Sequence, residues 1–344
     1  MSTGEEGVCI IVAVFRSRDT IARAVHTALA QPEACEVVVV DDASGDGTAD
    51  AARGADDGSG RLRVIELARN AGPARARNRA LEESRSAYFC VLDADDYLLP
   101  GRIARLLAAG PRDWDLLADD IVIVPQPRED VDLACAKIGP NALPVRLDLV
   151  TFLKGNISHP QRPREELGFL KPIIRRDFLL RHGLRYDETL RLGEDYALYA
   201  KALAHGARFY VVSACGYIAV ERHDSLSERH STQDLKQLVM FDDRCSAELA
   251  NLSTAECAAF AAHRTSALRR YQYRVILDRK REGGMLRAVG ALARMPDAIP
   301  YIASQTVRAR LARLGWGTDG GSARTGPRLL IGEPMRPPRS PSSP

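Results

Sequence analysis

The chain has 344 residues, 45% of them hydrophobic and 27% charged, with a net charge of +3; it can bury a substantial core and is too apolar to stay disordered. No apolar run approaches the length that spans a bilayer. The seven cysteines are scattered without a CxxC pair and read as reduced core residues.

Residues 1–7 have neither the basic start nor the apolar run of a signal peptide, so the expected location is the cytoplasm. Val8 to Val14 is a nearly unbroken apolar run, and Glu36 to Val40, Leu62 to Leu67 and Tyr88 to Leu92 are three more; each predicts a strand. Between them, helical spacing covers Ile21 to Leu29, Ala49 to Arg53 and Ala74 to Leu81. It resumes after Pro100 at Ile103, Leu106 and Leu107. This alternation predicts an α/β fold, a mostly parallel sheet flanked by helices, in which ligands bind at the carboxyl ends of the strands.

Asp41 and Asp42 close the second strand, and Asp93, Asp95 and Asp96 close the fourth. Clustered carboxylates repel unless a cation or donors lie close by. Mg²⁺ or Mn²⁺ held together with substrate phosphates answers that need; an acidic turn capping the helix after Pro100 is the plainer reading of the second cluster taken alone. Two acidic groups converging on one sheet edge favour the ion. A dinucleotide site at Gly45-Asp46-Gly47 fails, because the third glycine position of G-x-G-x-x-G falls on Asp50 and two carboxylates precede the run. A phosphatase with Asp93 as nucleophile leaves Asp41 and Asp42 without work.

Five segments stand in one order: Val8 to Phe15, Val40-Asp41-Asp42-Ala43-Ser44-Gly45-Asp46-Gly47-Thr48, Asn70 to Asn78, Leu92-Asp93-Ala94-Asp95-Asp96, and Leu192-Gly193-Glu194-Asp195. Together they resemble the family 2 inverting glycosyltransferases of the GT-A fold, over roughly residues 7–230. The stretch from Gly168 to Asp195 resembles bacterial exopolysaccharide enzymes, above all the glucosyltransferases of succinoglycan assembly.

The resemblance implies that Asp42 accepts a hydrogen bond from the uracil of a UDP-sugar and that Phe15 lies against the base, although Phe15 reads equally as a core aromatic. It implies that Asp93 faces the ribose and that Asp95 binds the metal bridging the diphosphate. Arg77 either neutralises phosphate charge or pairs with a carboxylate. Asp195 matches the family's catalytic base, and Glu194 orients the acceptor or supports the loop; an acidic pair opening a helix is also what dipole compensation produces. Arg222 and His223, after the next predicted strand, are expected at the phosphate and the metal. The sequence departs from the family at Ala13 and Arg16. His26, His182, His205 and His263 fall in helical patterns and are expected in surface or satisfied core roles.

The expected organisation is a catalytic domain over residues 1–230, divided into a nucleotide-sugar half (about 7–125) and an acceptor half (about 126–230). A helical, basic region follows over 231–315 and a disordered tail over 316–344. From Arg264 to Arg313 there are twelve Arg and Lys against three acids, and apolar faces such as Leu286, Val289 and Ala293 lie among them. This predicts an anchor on the anionic inner surface of the bacterial membrane, beside a lipid-linked saccharide acceptor. As an anchor, the region after about Ala262 should be removable without unfolding. The function expected is metal-dependent transfer of a sugar, glucose by the resemblance, from a UDP-sugar; the alternatives are the phosphatase and an inactive nucleotide-sugar binder. Nucleic acid is not an expected partner, since the recognition edge is acidic.

Overall fold

The first four apolar runs become β1 (Val8–Val14), β2 (Ala34–Asp41), β3 (Leu62–Glu66) and β4 (Tyr88–Val91), parallel and ordered β3-β2-β1-β4. Helices α1 (Ile21–Leu29), α2 (Thr48–Arg53), α3 (Pro73–Glu83) and α4 (Arg102–Ala109) fill the spaces between and after them. β1 is buried along almost its whole length, as a strand covered on both faces must be. The computed structural model describes residues 7–125, 144–157, 167–221, 231–249, 251–313 and 328–331.

The remaining elements are β5 (Tyr97–Leu98), β6 (Leu116–Pro125), β7 (Val145–Leu147), α5 (Leu149–Gly155), β8 (Ile173–Arg175), α6 (Arg176–Arg181), α7 (Glu194–Ala204), β9 (Phe209–Glu221), α8 (Thr232–Glu248), α9 (Thr254–Ala293), α10 (Ile299–Arg313) and β10 (Arg328–Leu329). Among the described residues they extend one sheet to β3-β2-β1-β4-β8-β6-β9-β5, with β10 beside β6 and β7 beside β9. β6 and β9 are parallel, and β8 runs antiparallel between β4 and β6. Its register, Tyr88 opposite Arg175 and Phe89 opposite Ile174, carries the residues just before β8 to the carboxyl end of β4. That placement builds the site.

The first part of the basic C-terminal helical region packs on the core of the catalytic domain. Ser231 and Ser253 close capping boxes with Asp234 and Glu256 and so start α8 and α9. Leu238, Val239, Phe241 and Cys245 of α8, with Ala259, Phe260 and Ala267 of α9, belong to the same core as β1 and α7. His263 is buried and satisfied, its Nδ1 lying 2.7 Å from Asp242 Oδ2 and 2.9 Å from Tyr196 Oη. A cut after Ala262 therefore removes core. Beyond it, α9 kinks at Gly283 and Gly284, where Gly284 takes φ 72°. Ile276, Ala288 and Ala291 then form a small separate cluster with Leu292 and Ile302.

The tail expected to be disordered also contains order. β8 covers only Leu116 and Leu117 of β6, and β10 pairs with the edge beyond, at Val122 and Ile123. Leu330 is buried, and Ile331 N donates to Asp120 Oδ1 at 3.0 Å. An average over Gly, Pro and Ser conceals the run Leu329-Leu330-Ile331. Among the described residues no helix is long and apolar enough to cross a membrane.

Candidate active site

The parallel strands deliver Phe15, Asp42 and Asp93 to one edge of the sheet. After β2 the chain turns through Ala43 at φ 60°, and after β1 through Arg16 at φ 52°, both unusual for residues with a Cβ. Arg16 N donates to Ser44 Oγ at 2.8 Å, while Ser44 N and Oγ both donate to Asp41 Oδ1, so Asp41 holds the turn. Asp42 is buried; its Oδ1 accepts from Ala71 N at 2.7 Å and its Oδ2 from Gly72 N at 2.8 Å. This carboxylate thus fixes the loop before α3, a task the sequence did not reveal, and a carboxylate with two accepted bonds keeps lone pairs for more. Phe15 is half-buried, with the Arg16 guanidinium 5.0 Å from its ring centre.

Arg77, on the buried face of α3, reaches across to α7. Its Nη1 donates to Glu194 Oε1 at 2.7 Å and to Asp195 Oδ1 at 2.8 Å, and its Nη2 donates to Asp93 Oδ1 at 3.0 Å. Its partners here are three carboxylates. Lys171, two residues before β8, completes the group: Nζ lies 2.8 Å from Asp195 Oδ2 and 2.9 Å from Asp93 Oδ2. Burial opposes the charge on Lys171, yet Asp195 and Asp93 outweigh it and raise its pKa above the ordinary lysine value. Burial likewise opposes ionisation of Asp93, but Lys171 and then Arg77 prevail and hold it below the usual carboxylate range. Glu194 is shifted the other way, raised by burial against the pull of Arg77.

Asp96 points away from this group. Tyr217 Oη donates to its Oδ2 at 2.7 Å and Val220 N to its Oδ1 at 2.9 Å, while Asp93 N donates to Tyr217 Oη at 3.0 Å. Burial, then the charges of Asp93 and Asp95, push its pKa well above the normal range. Asp95 is half-buried, and its backbone carbonyl accepts from Arg23 Nη2 at 2.5 Å. Among the described residues no three His, Cys, Asp or Glu side chains gather to hold a metal ion. The donor set still fits a hard cation that shares its shell with a substrate diphosphate, because Mg²⁺ needs only one or two carboxylates when phosphate oxygens and water supply the rest. The resemblance gives that carboxylate as Asp95, next but one along the chain from Asp93, whose two oxygens pair with Arg77 and Lys171.

The profile of the family described as "Glycosyl transferase family 2" matches residues 9–130. The chain is 49% identical over 296 residues to the succinoglycan biosynthesis protein ExoU of Rhizobium meliloti, covering 86% of this chain and 85% of that one. This chain belongs to the family 2 glycosyltransferases. The relative ExoO of the same organism, also named a succinoglycan biosynthesis protein, is 36% identical over 244 residues, covering 69% of this chain and 67% of its own. The GT-A fold is shared with TarS of S. aureus, solved in complex with UDP-GlcNAc, at 20% identity and a TM-score of 0.60 over 89% of this chain and 85% of that one.

Membership in the glycosyltransferases displaces the phosphatase reading. Of the residues singled out by sequence, this glycosyltransferase brings Arg77, Asp93, Glu194 and Asp195 into one network, with Asp95 adjoining and with Phe15 and Asp42 on the same strand edge. Arg222 and His223 lie outside the described residues. Lys171 and Tyr217 are the site residues that sequence reasoning missed. A lysine inside Phe169-Leu170-Lys171-Pro172-Ile173-Ile174 was the available signal, since a cation in an apolar run has to find an acid.

Proposed function

We propose that this glycosyltransferase is metal-dependent and inverting, and that it moves glucose from UDP-glucose to a lipid-linked saccharide during assembly of a succinoglycan-type exopolysaccharide. Asp195 is the general base. A sugar hydroxyl is a weak nucleophile, and a fixed carboxylate takes its proton as the new bond to the anomeric carbon forms. One base and one displacement invert that carbon. Glu194 orients the acceptor, Asp93 the ribose, and Phe15 and Asp42 the uracil, with Arg222 and His223 on the diphosphate side. A Mg²⁺ or Mn²⁺ ion held by Asp95 would stabilise the charge developing on the leaving diphosphate.

The observation that carries this reading is the position of Asp195. It opens α7 beside Asp93 at the end of β4, so the base and the donor-side carboxylate flank one place at the sheet edge. The printed names of ExoU and ExoO support the pathway. The lipid-linked acceptor is supported by the outer surface of the C-terminal helices, where Met285, Leu286 and Val289 are exposed among Arg281, Arg287 and Arg294. Such a surface suits the anionic inner face of a membrane.

The test is a screen of UDP-, GDP- and dTDP-sugars with Mg²⁺ or Mn²⁺, reading binding and slow hydrolysis, followed by Asp195→Asn. That change keeps the shape but cannot accept a proton, so transfer should fall by about a hundredfold or more while donor affinity holds. Wild-type turnover in Asp195→Asn would reject the base, and a donor other than a UDP-sugar would reject the nucleotide.

A further inference from the structure

Two cations bridge the same two carboxylates. Arg77 takes the Oδ1 atoms of Asp93 and Asp195, at 3.0 and 2.8 Å, and Lys171 takes both Oδ2 atoms, at 2.9 and 2.8 Å. The result is a closed ring linking the end of β4 to the start of α7. Arg77 also serves Glu194, whereas among the described residues the ion pairs of Lys171 run to Asp93 and Asp195. Three carboxylates facing Arg77 call for a second cation, and the seat of Lys171 on both Oδ2 atoms at once also ties two of those side chains to one point.

The setting of Lys171 is rigid. Its backbone carbonyl accepts from Arg102 Nη2 at 2.6 Å, and Arg102 is itself fully buried against Asp119. Tyr199 Oη, from the same helix as Asp195, donates to Leu170 O at 3.0 Å, and Pro172 follows. Clamped from both sides, the backbone fixes where the lysine side chain starts, and its ammonium spans the gap between the two carboxylates. A catalytic carboxylate works only if held within a fraction of an ångström of its productive position.

We infer that Lys171 is a positioning residue for sugar transfer: it fixes the base Asp195 relative to the donor-side Asp93 and acts on the reaction through Asp195. The inference rests on the reading of Asp195 as base. It adds a dependence of that base on a residue just before the strand inserted between the two parallel parts of the sheet.

The test is a double-mutant cycle on the full chain, with Lys171→Gln and Lys171→Met each made alone and with Asp195→Asn, using the UDP-sugar that the screen selects. Alone, Lys171→Gln should lower kcat by about tenfold or more with a donor KM within about threefold of wild type. In the Asp195→Asn background the same change should cost less than about twofold, because residues that act as a unit are not additive. An equal loss in both backgrounds overturns the inference, and so does a loss that falls on donor KM alone. If Lys171→Met does not fold, as thermal melting will report, the Gln variant carries the cycle. Wild-type turnover in Asp195→Asn alone is a different failure, that of the base itself.

Discussion

The Arg77 guanidinium donates to Asp195 Oδ1 at 2.8 Å across 118 positions of chain, and both side chains are almost fully buried. One arginine therefore ties the helix after β3 to the helix that carries Glu194 and Asp195. Replacing it leaves Asp93, Glu194 and Asp195 with Lys171 as the remaining bridging cation. Breaking a buried ion pair from one side destabilises by about 3–5 kcal/mol, so Arg77→Ala should unfold at clearly lower denaturant with the slope of the transition unchanged. An unshifted midpoint would show that the network relaxes into solvent.

Asp96 gives a pH dependence of defined sign. Its pKa is raised in the folded protein by burial and by Asp93 and Asp95, so the folded state holds the proton more tightly than the unfolded chain. That stabilisation is complete below the unfolded carboxylate value of about 3.9 and is lost as pH rises through the folded value. Asp96→Asn mimics the neutral form and removes the dependence. In EDTA, the variant should melt above wild type at pH 8 and the gap should shrink steadily toward pH 4; a gap that widens on acidification contradicts the assignment.

The metal reading is testable by binding alone. If the ion is shared between Asp95 and a diphosphate, calorimetry should show UDP binding much more tightly with Mn²⁺ than with EDTA, and Asp95→Ala should erase the difference. Equal affinity with and without metal in the wild type defeats the assignment. Asp42→Ala should lose the preference for uridine over guanosine nucleotides and keep the metal response. Because Asp42 also holds Ala71 N and Gly72 N, that variant should also lose stability, by about 1–3 kcal/mol for buried donors left unpaired.

The N-terminal half was legible because its information is local. Strands β1 to β4 are short apolar runs, and α1 to α4 carry their apolar residues at helical spacing, so period and length sufficed. The acidic strand ends could be named for the same reason. What escaped depends on non-local pairing. β8 has three residues and enters antiparallel between two parallel groups, and no periodicity marks it. With β8 unplaced, Lys171 had no position, although its apolar neighbours announced a buried cation. In the C-terminal region composition shows twelve basic residues and leaves unsaid that Phe260, His263 and Ala267 are buried, which depends on partners as distant as Tyr196, 67 positions from His263.

The membrane surface proposed above lies beyond the kink at Gly283 and Gly284. Leu286 is 89% exposed, Met285 62% and Val289 57%, while Ala288 and Ala291 on the other face close the small cluster with Ile276. Arg287 and Arg294 lie within the same stretch and Arg279, Lys280 and Arg281 just before the kink, and each basic side chain near an anionic leaflet contributes about 1 kcal/mol. Deletion after Ala262 tests the wrong thing, since it removes His263, Ala267 and β10 and should unfold the enzyme. The informative variant is Leu286→Glu with Val289→Glu in the full chain. Exposed changes of this kind alter stability by only about 0.5 kcal/mol, so melting and UDP binding should match wild type. Wild-type protein should sediment with phosphatidylglycerol vesicles at low salt and be released as salt is raised. The double variant should sediment no better than wild type does with neutral phosphatidylcholine vesicles. Wild-type protein that ignores the anionic vesicles, or a double variant that binds them as well, removes the membrane from the function of these helices.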